Sequence, residues 1–171
     1  MKLKEIIKKT SIYNESINLA NFKVKGISIN SNDVRDNYIF GAVKGKNFNG
    51  EDFIPKLSHI KNLAIILSKK SSIKILSKKF QHISIIKVDD VRLFISVLCS
   101  ILFPNNINQK LAVTGTNGKT SVASYVYQIW LIQMKNSASI GTLGLKYKKK
   151  YSIKSNLTTP DPISNHKLLN H

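Results

Sequence analysis

The sequence predicts an α/β protein: a small mixed α/β domain over residues 1–88, a helix and linker over 89–108, and the start of a parallel-sheet domain over 109–171. Three observations carry the prediction. Before residue 89, apolar runs of strand length alternate with helical or turn-rich stretches. A longer apolar run, Leu93 to Phe103, has the length of a helix and stops at Pro104. From Lys110 the order is strand, glycine turn, helix and strand, the opening of a βαβ unit.

In chain order, Lys2 to Lys9 reads as a short amphipathic helix, because Leu3, Ile6 and Ile7 share one face. Val24, Ile27 and Ile29 lead into the turn-rich Asn30 to Asn37, and Tyr38 to Val43 is a strand-length apolar run. Lys44 to Gly50 is a loop by composition, and Glu51 to about Ser58 a helix. Leu63 to Leu67 and Ile83 to Val88 read as compact strands. Asp89 or Asp90 can cap the helix that follows, since a short side-chain oxygen satisfies a free N–H of the first turn. Asn105 to Asn108 is the connection. Then come a strand (Lys110 to Thr114), a turn (Gly115 to Gly118), a helix (Lys119 to about Lys135) and a short strand near Ala138 to Ile140. The basic run Lys146 to Lys150 is a solvated loop or hairpin.

Composition narrows the function classes. With 42% apolar and 21% charged residues the chain is of the globular type. The net charge of +18 suggests a polyanionic partner when taken alone. Of the 27 basic residues, however, only Arg35 and Arg92 are arginine, and the abundance of Lys, Ile and Asn is what AT-rich codons produce. Readers of phosphates and bases favour the bidentate fork of Arg, so no nucleic acid is expected as a partner. The single Cys99 lies in an apolar run and excludes a disulfide framework. The lysine-interrupted start lacks the apolar core of a signal peptide, and no run reaches the ~18 apolar residues of a membrane span. A cytoplasmic location without a membrane span is the expectation. His59, His82, His166 and His171 show no catalytic spacing, and Trp130 between Ile129 and Leu131 reads as helix packing.

The segment richest in chemistry is Ala112-Val113-Thr114-Gly115-Thr116-Asn117-Gly118-Lys119-Thr120. An apolar run delivers the chain into a loop whose glycines let backbone N–H groups face a phosphate, and the helix starting there adds its positive end. Lys119 would reach the β- and γ-phosphates of a nucleotide, the Thr120 hydroxyl would ligate Mg²⁺, and Ser121 is a further phosphate contact. The general phosphate-loop pattern is not fully met: Val113 stands where its first glycine would be, and Gly115 lies two residues later.

Gly115-Thr116-Asn117-Gly118-Lys119-Thr120 resembles the specific phosphate loop of the superfamily of Mur ligases and folylpolyglutamate synthetases. Two later segments, Ile140-Gly141-Thr142-Leu143-Gly144 and Leu157-Thr158-Thr159-Pro160-Asp161-Pro162, resemble those of UDP-N-acetylmuramoyl-dipeptide ligases, the MurE-type family. In the first domain, Ile29-Asn30-Ser31-Asn32, the strand through Phe40 and the loop Gly45-Lys46-Asn47-Phe48-Asn49-Gly50 resemble that family's uridine-nucleotide-binding domain. There an Asp-Ser-Arg turn precedes the strand; this chain has Asn30 and Asn32 in place of the acid and the arginine.

The resemblance implies ATP and Mg²⁺ as cofactors, with ATP held by Gly115, Thr116, Asn117, Gly118, Lys119, Thr120 and Ser121, the metal on Thr120, and Lys119 acting on the transferring phosphoryl group. It implies a UDP-MurNAc-L-Ala-D-Glu substrate contacted by Ile29, Ser31, Lys46, Asn47, Phe48, Thr158 and Thr159. The second substrate would be meso-diaminopimelate or L-lysine. The implied reaction phosphorylates the D-glutamyl carboxylate, because a free carboxylate has a poor leaving group, and the incoming amine then displaces phosphate to give the amide of a peptidoglycan precursor. Mur ligases have three domains; an incomplete central domain, an absent C-terminal one and no ligation by these residues alone are the expectation. Two alternatives stay open: a dipeptide-adding MurF-type ligase, and a noncatalytic nucleotide- or RNA-binding fragment.

Overall fold

The computed structural model describes residues 1–10, 12, 15–45, 48–71, 80–147, 150–153 and 159–170, the stretch 150–153 by its backbone alone. The chain forms two compact units, Met1–Asn105 together with the chain from His166, and Asn106–Asn165.

In the first unit, helix α1 (Leu3–Thr10) buries Leu3, Ile6, Ile7 and Thr10, one stripe at helical spacing, and leaves Lys4, Lys8 and Lys9 in water. The sheet has the order β1-β5-β4-β3-β2, formed by β1 (Glu15–Ile17), β2 (Gly26–Ser28), β3 (Tyr38–Gly41), β4 (Ala64–Ser68) and β5 (Ser84–Val88). β2 through β5 run parallel, and β1 is antiparallel to β5. A parallel sheet covered on both faces calls for uninterrupted apolar strands, and Ala64, Ile65, Ile66 and Leu67 of β4 are all buried. Alternate residues then serve opposite faces. Phe40, Ile65, Leu67 and Ile85 join Val34, Ile54, Leu57 and Ile60 in one core cluster. Helix α2 (Val91–Leu102) packs on β3, β4 and α1 with Phe94, Ile95, Leu98 and Cys99 buried.

Asp90, rather than Asp89, caps α2 by accepting from Leu93 N–H at 3.0 Å. Asp89 instead pairs with Lys69 at 2.9 Å. The helix expected from Glu51 is a 3₁₀ helix over Gly50–Leu57. The physical reason is Pro55, which has no N–H for an i→i−4 bond and whose ring crowds the preceding turn. Residues 89–108, set apart in the sequence as helix and linker, divide at Asn105: α2 belongs to the first unit.

The second unit holds helix α3 (Lys119–Ile132) and an antiparallel sheet β6-β7-β8, made of β6 (Ala138–Gly141), β7 (Gly144–Tyr147) and β8 (Lys150–Ile153). Helix α4 (Pro162–Asn170) begins on Asp161, whose side chain accepts from Ile163 N–H at 2.9 Å. The basic run is thus the hairpin between β7 and β8, as expected. The expected strand Lys110–Thr114 is not formed, and β6 pairs with β7 rather than in parallel with it. A strand is defined by its ladder, and among the described residues no neighbour lies beside 110–114 to supply one. Only Tyr127 of α3 is buried; Val122, Ile129 and Ile132 are 45%, 51% and 81% exposed. Among the described residues no helix is long and apolar enough to cross a membrane.

Candidate functional site

The glycine loop sits where the sequence places it, at the start of α3. Gly118, the residue before the helix, has φ 76° and ψ −6°, in the left-handed region that a side chain disfavours. A Cβ there would meet no atom within 4 Å, so the glycine serves the backbone turn and the space above it stays open. No side chain caps α3, and the first N–H bonded within the helix is that of Val122, to Gly118 O at 2.9 Å. The N–H groups of Lys119, Thr120 and Ser121 are therefore the uncapped donors of a helix N-terminus. Lys119 folds back over the loop, its Nζ donating to Gly115 O at 2.5 Å and to Thr116 O at 3.1 Å. Thr116, Asn117, Thr120 and Ser121 are exposed.

This donor set fits a triphosphate. Residues 113–122 contain no carboxylate, and they bring together a lysine, backbone N–H groups and three hydroxyls. Mg²⁺ takes few protein ligands beside substrate phosphates, so the single hydroxyl of Thr120 suits it. Among the described residues no group of three or more His, Cys, Asp or Glu is arranged to hold a metal.

The candidates in the first unit are placed less uniformly. Ser31 is half-buried and opens a 3₁₀ turn, Ser31–Asp33, in which the Asn30 side chain accepts from Asn32 N–H at 3.1 Å. Ile29 packs beside Gly41 of β3, its Cγ2 3.4 Å from where a Cβ would lie. Phe48 is 72% exposed, with its ring 6.5 Å from that of Phe53. The loop closes through Gly45 N–H on Phe48 O at 2.8 Å and a bridge between Lys44 and Asn49. Lys46, Asn47 and Thr158 lie outside the described residues. Thr159 is exposed, just ahead of the Asp161 cap.

Two depressions accompany these residues. A cleft of about 520 Å³ lies past the C-terminal ends of β3, β4 and β5, lined by Lys44, Asn49, Glu51, Lys70, Asp90 and Arg92 among others. Parallel sheets characteristically receive ligands at that edge. A smaller pocket of about 260 Å³ joins Ser31 to Asn32, Arg35, Lys56 and His59. The structure thus brings Ser31 to a pocket and the 44–50 loop to a cleft, while Ile29 and Phe48 line neither. Arg35, Lys56 and His59 were not singled out as candidates in the sequence. They belong to no motif, and their meeting with Ser31 depends on the packing of the 3₁₀ turn against the 3₁₀ helix.

Residues 113–171 match the model of the Mur ligase middle domain. The chain is 39% identical over 123 residues to the UDP-N-acetylmuramoyl-L-alanyl-D-glutamate--2,6-diaminopimelate ligase of Rickettsia felis, covering 72% of this chain and 22% of that protein. It is 33% identical over 171 residues to the enzyme of the same name from Brucella melitensis biotype 1, covering 99% of this chain and 33% of that protein. To a UDP-N-acetylmuramoyl-L-alanyl-D-glutamate--2,6-diaminopimelate ligase 2 of Clostridium acetobutylicum it is 31% identical over 173 residues, covering 99% of this chain and 35% of that protein. The chain spans between about a fifth and about a third of the length of these relatives.

Proposed function

Because the chain belongs to the Mur ligase family, we propose that it supplies the uridine-nucleotide-binding and phosphate-loop parts of an ATP-dependent ligase that adds diaminopimelate to UDP-N-acetylmuramoyl-L-alanyl-D-glutamate. The observation that carries this is the uncapped start of α3, with Gly115, Gly118 and Lys119 in one loop, inside the segment that matches the middle domain. The relatives' names favour diaminopimelate over lysine as the amino acid added. Residues 1–88 would hold the uridine nucleotide and 109–171 would begin the ATP-binding domain. A cytoplasmic site of action follows from the same reading.

Bound ATP and Mg²⁺ would supply the phosphoryl group that activates the D-glutamyl carboxylate as an acyl phosphate. The chain's own part is placement and charge neutralisation. Lys119 leaves the carbonyls of Gly115 and Thr116 and moves to the β- and γ-phosphate oxygens, where its charge offsets that developing on transfer. The N–H groups of Gly118 to Ser121 hold the phosphates in line. Thr120 presents one oxygen to the metal, and Thr158 and Thr159 orient the muramoyl nucleotide.

The test is ligation by the full-length enzyme carrying Lys119→Ala. Amide formation falls about 10²-fold or more while the muramoyl nucleotide still binds, and residual activity above about a tenth of the parent's refutes the role.

A further inference from the structure

Of the two depressions in the first unit, the smaller is the one whose lining carries charge of a single sign. Its floor is apolar, from Val34, Leu57 and Ile60, and its polar lining holds Ser31, Arg35, Lys56 and His59 with no carboxylate. The larger cleft sets Glu51, Asp89 and Asp90 among Lys44, Lys70 and Arg92, so its cations are balanced where they stand. Arg35 is anchored: its Nη1 donates to Asn32 O at 2.7 Å and to Val34 O at 2.9 Å. Among the described residues Nε and Nη2 have no protein partner. One edge of the guanidinium is therefore fixed while the other can take an anion, which lowers the ordering cost of binding. The nearby Asp36 is engaged by Lys61 N–H at 2.8 Å, and Asp33 does not line the pocket. The MurE-type turn has an arginine where this chain has Asn32. Arg35, three residues on, brings a guanidinium back to the backbone of that same position.

We infer that this pocket holds the diphosphate of the uridine nucleotide, with Arg35 and Lys56 paired to its oxygens and the Ser31 hydroxyl donating a hydrogen bond. The inference rests on the reading of residues 1–88 as a uridine-nucleotide domain, and it assigns one part of the ligand to one place. Anionic oxygens suit a fixed guanidinium and an ammonium, and the uncharged base and ribose gain nothing from them.

The experiment is calorimetric titration of the whole chain with UDP, uridine and inorganic pyrophosphate, for the parent, the double variant Arg35→Gln/Lys56→Gln and the single variant Arg35→Lys. Expected is a loss of tenfold or more in UDP and pyrophosphate affinity in the double variant, about 1.4 kcal/mol or more, with uridine affinity unchanged. The retained uridine binding also reports that the variant folds. Arg35→Lys keeps the charge and loses the fork, so an intermediate loss is expected. Equal UDP affinity in parent and double variant overturns the pocket and leaves the uridine-nucleotide reading intact. A uridine affinity that falls as far as that of UDP also overturns it, since the residues then act on the fold. Absence of saturable UDP and uridine binding by the parent overturns both. An RNA oligomer that competes as well as UDP and loses affinity in the same variant marks a general polyanion surface and overturns the assignment.

Discussion

Replacing Gly50 by alanine tests whether the loop following β3 is held by close backbone approach. A Cβ on Gly50 would stand 2.6 Å from Val43 N, 2.8 Å from Ala42 C and 2.9 Å from Ala42 Cα, all backbone atoms. Nothing there can rotate away, so the strand end and the loop must separate. Such overpacking costs about 1–3 kcal/mol. The shift also loosens the bond from Gly50 N–H to Val43 O, 3.0 Å long, worth about 0.5–1.5 kcal/mol. Against this, alanine lowers the entropy of the unfolded chain by about 0.4–1 kcal/mol. The net is about 2 kcal/mol, which for a unit of about 100 residues lowers Tm by about 8–16 °C. Gly26→Ala is the control: its Cβ would meet the Tyr38 ring at 2.5–2.9 Å, a side chain able to turn, so a smaller shift is expected. Thermal melting followed by circular dichroism measures both. A Gly50→Ala melt within about 2 °C of the parent's, or a larger loss for Gly26→Ala, would refute the reasoning.

Further outcomes are expected. Asp90→Ala removes the cap on Leu93 N–H and costs about 1 kcal/mol in urea unfolding, whereas Asp89→Ala breaks only an exposed pair with Lys69 and stays within about 0.5 kcal/mol. Ile65→Ala, in the middle of β4 and fully buried, costs about 2–5 kcal/mol in the same measurement. Limited proteolysis read by mass spectrometry should leave residues 1 to about 100 intact and cut first between Asn106 and Lys135, where α3 buries only Tyr127; a resistant fragment reaching through Lys135 would contradict this.

What the sequence showed, and what it did not, follows the range of the interactions. The strands of the first unit were legible because β3, β4 and β5 are apolar runs whose burial decides their conformation wherever their partners lie. The glycine loop was legible because its geometry is local: Gly115, Gly118 and Lys119 act on one another within five residues. Lys110–Thr114 misled for the opposite reason, since an apolar run becomes a strand only when other segments pair with it. The 3₁₀ form of Gly50–Leu57 was available in principle from Pro55, which sits too far into the helix for an α-helical first turn. Arg35, Lys56 and His59 could not be found by spacing, because the contact of residues 31–35 with 56–60 is tertiary. The departure at Asn32 was the one visible sign that another cation could be needed there.

The antiparallel edge strand also sets a clock for synthesis. Glu15 of β1 pairs with Lys87 of β5, about 70 residues later in the chain. At about 5–20 residues per second, β1 waits roughly 4–14 s for its partner to be made. Throughout that interval the ribosome presents β2 to β4 with one side of the growing sheet uncovered, and β4 is the most apolar strand of the set. Slowing translation after Ser68 lengthens the exposure, and speeding it from there to Val88 shortens it, so codon choice between these two residues controls how much nascent chain is lost to aggregation before the sheet is complete.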